Sequence, residues 1–138
     1  MEPNKKVSIA VLCMDYRFWP DTLPLLEEKY GEFDLIEIAG GSKSLVLPLE
    51  PEDRITLLEN ISISIKLHHA ERIILTNHID CGAYGGSTKF KTHDKELAFH
   101  KEELEKAEMV IEKKFPELEV VKLIIYKNDK DEIKLIEV

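Results

Sequence analysis

The sequence predicts an α/β fold, a single domain with a mostly parallel sheet flanked by helices. Apolar, β-branched runs recur along the chain, which is typical of strands buried on both faces. Segments with apolar residues at helical spacing separate these runs, as in the crossover connections between parallel strands. No repeat, low-complexity tract or linker divides the 138 residues, so we expect one domain over residues 1–138.

The N-terminal part of the chain predicts two strands with a helix between them. Val7–Cys13 is a nearly continuous apolar run, and apolar side chains then recur at helical spacing over Asp21–Tyr30. Gly31 follows as a plausible C-terminal stop for that helix. Phe33–Ile38 predicts the second strand, which ends at the sharp loop Ala39–Ser42.

The middle of the chain repeats this alternation. Pro51, followed by two acidic residues, is typical of a helix start and predicts a long helix. Arg72–Asn77 predicts a third buried strand, and Asp94–Phe115 a charged helix that Pro116 ends. We expect the Lys/Glu-rich face of this helix, including His100, to be solvated.

The C-terminal segment predicts a hairpin. Val120–Tyr126 is the fourth apolar run, and the turn Asn128–Asp131 separates it from Ile133–Val138, which alternates in polarity. The expected strand order is 2-1-3-4, with the fifth strand added antiparallel at the edge.

Composition excludes several classes of function. Lys and Arg total 19 against 27 Asp and Glu, giving a net charge of −8, which argues against broad contact with nucleic acid or an anionic membrane. No apolar run reaches the roughly 18 residues of a membrane span. Two cysteines are too few for a disulfide scaffold, so we expect a soluble cytoplasmic protein with reduced thiols.

Five side chains with chemical potential follow two of the predicted strands. Cys13, Asp15 and Arg17 are two residues apart, and an extended backbone would place them on one face. His78 and Cys81 lie just past the third strand, in a glycine-rich turn. If strands one and three are neighbours, all five meet at the carboxyl edge of the sheet, where open parallel sheets bind ligands.

These residue types favour a zinc site. A Cys-His-Cys donor set suits zinc and leaves the fourth tetrahedral position for water. Asp15 could fill that position, or a bidentate ion pair with Arg17 could hold it away. The alternatives are two ordinary buried thiols and a structural ion pair. No glycine-rich phosphate-binding motif is present, so nucleotide binding has no support.

Two motifs resemble those of the β-class carbonic anhydrases. Cys13-Met14-Asp15-Tyr16-Arg17 matches the Cys-x-Asp-x-Arg motif that follows the first strand of that family. His78-Ile79-Asp80-Cys81-Gly82 matches its His-x-x-Cys-Gly motif after the third strand. Ala39-Gly40 is similar to its Ala-Gly turn, and the closing hairpin also fits, so the resemblance covers Val7 to Val138.

The resemblance implies both a function and roles for the five residues. Cys13, His78 and Cys81 would bind Zn²⁺, while Asp15 and Arg17 would form the dyad that controls its fourth position. The implied reaction is reversible hydration of carbon dioxide to bicarbonate by a zinc-bound hydroxide. Because two thiolates make zinc-bound water less acidic than histidines do, activity should rise above neutral pH.

The chain also departs from the family pattern. Tyr16 stands where the family usually has Ser, and Glu37-Ile38 where many members have Arg-Asn. Only residues 1–6 precede the first predicted strand, so we expect no N-terminal arm to embrace a partner. The family is nevertheless built from dimers, which implies a homodimer or higher homo-oligomer. Two alternatives remain: hydrolysis of carbonyl sulfide or carbon disulfide at the same zinc site, and a non-catalytic zinc-binding protein.

Overall fold

The structure, a computed structural model, describes residues 6–138. The expectation that no N-terminal arm is present rests mainly on residues 1–5, which lie outside this range. Within this range there are five strands and four α-helices, and all but the short second helix follow the predicted alternation. The strands are β1 (Ser8–Leu12), β2 (Phe33–Glu37), β3 (Arg72–His78), β4 (Glu119–Lys127) and β5 (Ile133–Glu137). The helices are α1 (Trp19–Tyr30), α2 (Lys43–Val46), α3 (Pro51–His68) and α4 (His93–Lys114).

The predicted sheet topology is confirmed. The five strands form one sheet in the order β2-β1-β3-β4-β5, as expected for a single α/β domain. β1 has a parallel neighbour on each side: its Ala10 pairs with Leu35 of β2 and with Ile74 of β3. β4 pairs in parallel with β3, and β5 closes the sheet as an antiparallel edge strand.

Helices cover both faces of the sheet, which explains the continuous apolar runs of the inner strands. Alternate residues of β1 point to opposite faces. Ile9 and Val11 pack with α2, α3 and α4, whereas Ala10 and Leu12 pack with α1. All four side chains are completely or almost completely buried, so a polar substitution at any of them would destabilise the folded protein.

Helix α4 buries a polar face as well as an apolar one. Thr92 caps its N-terminus by accepting a hydrogen bond from the Lys95 amide at 3.1 Å. Its buried side chains, at helical spacing, include Glu96, His100 and Ile111. The expectation that His100 is solvated is therefore wrong. Within residues 6–138, no helix combines the length and low charge that crossing a membrane requires.

Element boundaries differ from the predictions at two places that matter for the site. β1 ends at Leu12, so Cys13 is the first residue beyond the strand. β3 continues through His78, which was expected just past the strand. The sequence analysis also missed α2, which is only four residues long and follows directly from the loop at Gly40 and Gly41.

Candidate metal centre

Three side chains that commonly bind metals meet at the carboxyl edge of the sheet. Cys13 follows β1, His78 ends β3, and Cys81 lies in the turn after β3. Their sulfur and ring nitrogen donor atoms all lie within 4.8 Å of one another, and all three residues are buried. Because β1 and β3 are adjacent and parallel, their ends converge, as the sequence analysis predicted.

The imidazole of His78 is oriented with one nitrogen free. Its Nδ1 lies 2.6 Å from the carbonyl oxygen of Ile79, which places the proton of the neutral ring on Nδ1. The ring also stacks on Phe18, with a centroid separation of 4.2 Å. Nε2 is buried and has no hydrogen-bond partner within residues 6–138. Since a buried polar atom without a partner costs about 1–3 kcal/mol, Nε2 is arranged for a ligand.

The two cysteines are buried, form no disulfide, and have their sulfurs within 4.8 Å of each other. The pKa of Cys13 is lowered, chiefly by the hydrogen bond between its sulfur and the Cys81 side chain. The backbone N–H of Gly40 donates another hydrogen bond to the same sulfur at 3.3 Å. That shared bond and burial raise the pKa of Cys81. A metal bound by both sulfurs would require both of them to be deprotonated.

The donor set fits zinc. Two cysteine sulfurs and one imidazole nitrogen form a borderline-soft set that Zn²⁺ accepts in tetrahedral geometry. The unpartnered Nε2 of His78 supports this assignment from the structure itself, because a neutral imidazole binds metal through such a lone pair. Three protein donors leave one position of the tetrahedron open for another ligand.

Asp15 and Arg17 form a tight pair beside these donors. The guanidinium donates from Nη2 to Asp15 Oδ2 at 2.6 Å and from Nε to Oδ1 at 3.1 Å. These hydrogen bonds lower the pKa of Asp15, so its side chain is a carboxylate at neutral pH. Asp15 Oδ2 lies 3.7 Å from His78 Nε2 and so faces the donor cluster.

The reason given for this pairing from the sequence is wrong, although the pairing itself is present. Cys13, Asp15 and Arg17 do not share a face of an extended strand, because β1 ends at Leu12. Instead the chain turns, and the amide of Phe18 donates to the carbonyl oxygen of Asp15 at 3.1 Å. The Arg17 amide also donates to Asp15 Oδ1 at 2.9 Å, so the turn itself fixes the carboxylate.

The glycines after β2 allow the chain to approach the donor cluster. Gly41 has φ +59°, and a Cβ there would lie 2.6 Å from the carbonyl oxygen of Thr76. A side chain would therefore push this loop away from β3. The sequence analysis noted the glycine pair as a sharp loop, but spacing alone did not show that Gly40 donates to Cys13.

Behind the donors lies a buried polar group that sequence reasoning missed. Asn77 Nδ2 lies 3.1 Å from the Tyr84 hydroxyl oxygen and 3.2 Å from His100 Nδ1. His100 Nε2 in turn lies 3.8 Å from the carboxylate of Glu96. Burial lowers the pKa of His100 to about 4, so the ring is neutral at physiological pH. The only sequence signal was the helical spacing of Glu96 and His100 with apolar residues of α4.

Solved structures share this fold. A carbonic anhydrase from Glaciozyma antarctica superposes with a TM-score of 0.63 at 20% identity, covering 99% of this chain and 83% of its own. A β-carbonic anhydrase, isoform I, from Trichomonas vaginalis superposes with a TM-score of 0.58 at 18% identity, covering 98% and 84%. At these identities the likeness concerns the fold.

Sequence comparison decides the family. The model of a family described as "Putative carbonic anhydrase" matches residues 3–137, nearly the whole chain. The chain belongs to this carbonic anhydrase family. Two uncharacterized proteins of Rickettsia are similar to this family member, each 31% identical over 122 residues and 85% of this chain. The matches cover 74% of the Rickettsia bellii protein and 66% of the Rickettsia conorii protein.

Proposed function

We propose that this family member binds zinc and catalyses the reversible hydration of carbon dioxide to bicarbonate. The observation that carries the proposal is the convergence of Cys13, His78 and Cys81, with their donor atoms within 4.8 Å of one another. The Asp15–Arg17 pair beside them supports catalysis rather than a purely structural metal. A structural site has no need of a carboxylate held next to a free coordination position.

Cys13, His78 and Cys81 would hold the metal. Zinc, when bound, supplies a nucleophile near neutral pH by strongly lowering the pKa of water. The hydrogen bond from His78 Nδ1 to the Ile79 carbonyl orients the ring and makes Nε2 a better donor. Stacking on Phe18 restricts the ring further, so the nitrogen is preorganised.

Asp15 and Arg17 would prepare the reacting groups. The Asp15 carboxylate only accepts hydrogen bonds, so it can orient a nucleophile that carries a hydrogen. Arg17 occupies both oxygens of Asp15 and thereby restrains it from becoming a fourth metal ligand. The remaining lone pairs of Asp15 would orient this nucleophile, and its orientation would set the direction from which the substrate is attacked.

Metal analysis and stopped-flow hydration test the proposal together. Protein purified without added metal is expected to carry about one zinc per chain, because the described residues form one such donor set. Cys81→Ser should lose most of that zinc together with hydration, whereas the matched surface variant His93→Ala should keep both. A folded parent protein with no zinc and no hydration above background would overturn the proposal.

Substrate assays separate the remaining functions at the same site. Release of hydrogen sulfide from carbonyl sulfide, without hydration of carbon dioxide, would replace the proposed reaction with a hydrolase activity. Full zinc occupancy with neither activity would indicate a non-catalytic zinc protein. Activity in the forward assay should rise between about pH 7 and 9, because two thiolates oppose the acidity of zinc-bound water.

We also propose that the protein is a cytoplasmic homo-oligomer. β2 is an edge strand, and the adjoining groove exposes Leu35, Ile63 and Leu67. Unpaired strand edges beside apolar side chains favour association with a second copy. Light scattering should give at least a dimer, which Leu67→Glu weakens and Met109→Glu on α4 does not. A monomer at micromolar concentration would overturn this part.

A further inference from the structure

We propose that Asp80 is a positioning residue that holds the guanidinium of Arg17 while Asp15 binds the same guanidinium. Arg17 Nη1 donates to Asp80 Oδ2 at 3.0 Å, and Nη2 donates to the Asp80 carbonyl oxygen at 2.9 Å. The guanidinium is therefore shared between two aspartates, one facing the donor cluster and one outside it. This inference rests on the proposed function only where it concerns catalysis.

Asp80 is itself fixed in an unusual conformation. Its backbone has φ +55°, a left-handed region that Asp tolerates better than most residues. Its Oδ1 accepts a hydrogen bond from the backbone N–H of Ser87 at 2.8 Å. These bonds lower the pKa of Asp80, so its carboxylate keeps its charge.

Helix α4 supports this turn through a buried carboxylate. Glu96 is 2% exposed, and its Oε2 accepts the backbone N–H of Asp80 at 2.7 Å. Its Oε1 accepts the hydroxyl of Ser87 at 2.8 Å. The hydrogen bonds therefore continue from the interior of the domain through Asp80 to Arg17. Glu96 is buried and both its oxygens are bonded, so it moves little and fixes the backbone of Asp80. The Asp80 side chain is itself 47% exposed, and its bonds to Ser87 and Arg17 hold it in place.

The anchor matters because Arg17 must hold Asp15 in one position although its own side chain is 39% exposed. Holding that position costs an exposed arginine side chain considerable rotamer freedom. The contacts to Asp80 already restrict the rotamers of Arg17, so less conformational entropy is lost when Arg17 binds Asp15. Removing Asp80 should then loosen both Arg17 and the carboxylate beside the donor cluster.

Chemical modification of arginine tests the anchor without reference to catalysis. We would label the purified protein with phenylglyoxal and follow each arginine by peptide mass spectrometry. Asp80→Gly keeps the backbone conformation, since glycine accepts positive φ, and removes the carboxylate. Arg17 should then react on the order of tenfold faster, the effect of losing a hydrogen bond to a charged group. Asp80→Asn, which keeps one acceptor, should lie between.

The chain supplies matched controls. Asp131 also has positive φ, at +63°, and lies 3.7 Å from Lys127, so Asp131→Gly makes the same change away from the site. It should leave the labelling of Arg17 unchanged. Arg54 and Arg72 are internal references, because their rates should not change in any variant. Equal Arg17 rates in the parent and in folded Asp80→Gly would overturn the proposal.

A second pair of variants tests the support from α4. Glu96→Ala removes both acceptors and should expose Arg17 to the reagent, whereas Glu96→Gln should not. The glutamine oxygen can accept the Asp80 N–H, and the Ser87 hydroxyl can turn to accept from the new amide. Equal labelling in folded Glu96→Ala and Glu96→Gln would contradict the role given to Glu96.

Hydration kinetics connect the anchor to function. In an active parent, Asp80→Gly should lower kcat about tenfold at unchanged zinc content, because misplacing a positioning group is costly. Unchanged kcat in that variant would overturn the effect of Asp80 on Asp15. A parent with no hydration activity would instead overturn the proposed function, and the labelling of Arg17 would still decide whether Asp80 is its anchor.

Discussion

The carboxylate oxygen Oδ2 of Asp15 lies 3.7 Å from Nε2 of His78, the nitrogen that has no hydrogen-bond partner within residues 6–138. The same oxygen accepts a 2.6 Å hydrogen bond from Arg17. Asp15 is thus close enough to act beside the donor cluster, while Arg17 competes for its oxygen. The balance between these two interactions underlies the first prediction.

Removing the guanidinium should impair hydration and restore an ordinary titration to Asp15. Arg17 lowers the pKa of Asp15, so in Arg17→Ala that pKa should rise toward the ordinary range of an aspartate. Carbon-13 NMR of the carboxyl group measures this change. Hydration should fall by about 10²-fold, because the carboxylate is no longer held in place.

Arg17→Lys is the control for charge. Lysine keeps the positive charge but cannot donate from two nitrogens to one carboxylate. It should therefore keep the low pKa of Asp15 in part while recovering little of the hydration. Full recovery by Lys would show that charge alone, rather than the geometry of the guanidinium, is what Asp15 requires.

Zinc should stabilise the folded protein measurably. A ligand that binds only the native state adds about 2.7 kcal/mol to the free energy of unfolding at 100 times its dissociation constant. Removing metal with a chelator should lower Tm, and zinc should restore it, whereas Mg²⁺, which prefers oxygen ligands, should not. Cys13→Ser should abolish the response to zinc. A response that survives this change would place the zinc elsewhere.

Stability should fall on mild acidification because of His100. The folded pKa is lowered from 6.5 to about 4, so the unfolded chain binds this proton first as pH falls. The stabilisation is complete above about pH 6.5 and is lost as pH falls through about 4. It amounts to about 3 kcal/mol from the linkage of pKa to free energy.

Denaturant unfolding between pH 4 and 7 measures this effect. His100→Gln should flatten the dependence of the unfolding free energy on pH over that range, since glutamine does not titrate. His93→Gln is the matched control, because His93 is exposed on the same helix and should leave the curve unchanged. Parallel curves for the parent and His100→Gln would contradict the prediction.

The core between the sheet and α4 should be sensitive to cavities. Ile111 is completely buried against the sheet, so Ile111→Ala should lower the free energy of unfolding by about 2–5 kcal/mol. Met109 lies two residues earlier in the same helix and is 68% exposed. Met109→Ala should change stability by less than about 0.5 kcal/mol. Urea unfolding of both variants checks the contrast.

Local pattern predicted the order of elements well, and failed where burial depends on partners. The apolar runs of β1, β3 and β4 identified the inner strands because both of their faces are covered. The same reasoning misplaced His100, since a Lys/Glu-rich helix with polar residues on its buried face resembles a solvated one. Helix α2 was missed because four residues are too few to show a period.

The site was predictable in its members but not in its bonding. Cys13, His78 and Cys81 could be grouped because ends of neighbouring parallel strands converge. Asp80 and Glu96 could not be assigned, since they act through hydrogen bonds between segments distant in sequence. Spacing also suggested the wrong reason for the Asp15–Arg17 pair, which depends on a turn rather than on an extended strand.

The sequence by itself determined the alternation of strands and helices and the residue types at the strand ends. These depend on periodicity and side-chain chemistry, which are local properties of the chain. Only the tertiary structure decided that His78 Nε2 has no hydrogen-bond partner among residues 6–138, that the Gly40 amide donates to Cys13, and that Arg17 is held by two aspartates. Hydrogen bonds and burial arise between segments, and folding alone brings those segments within reach.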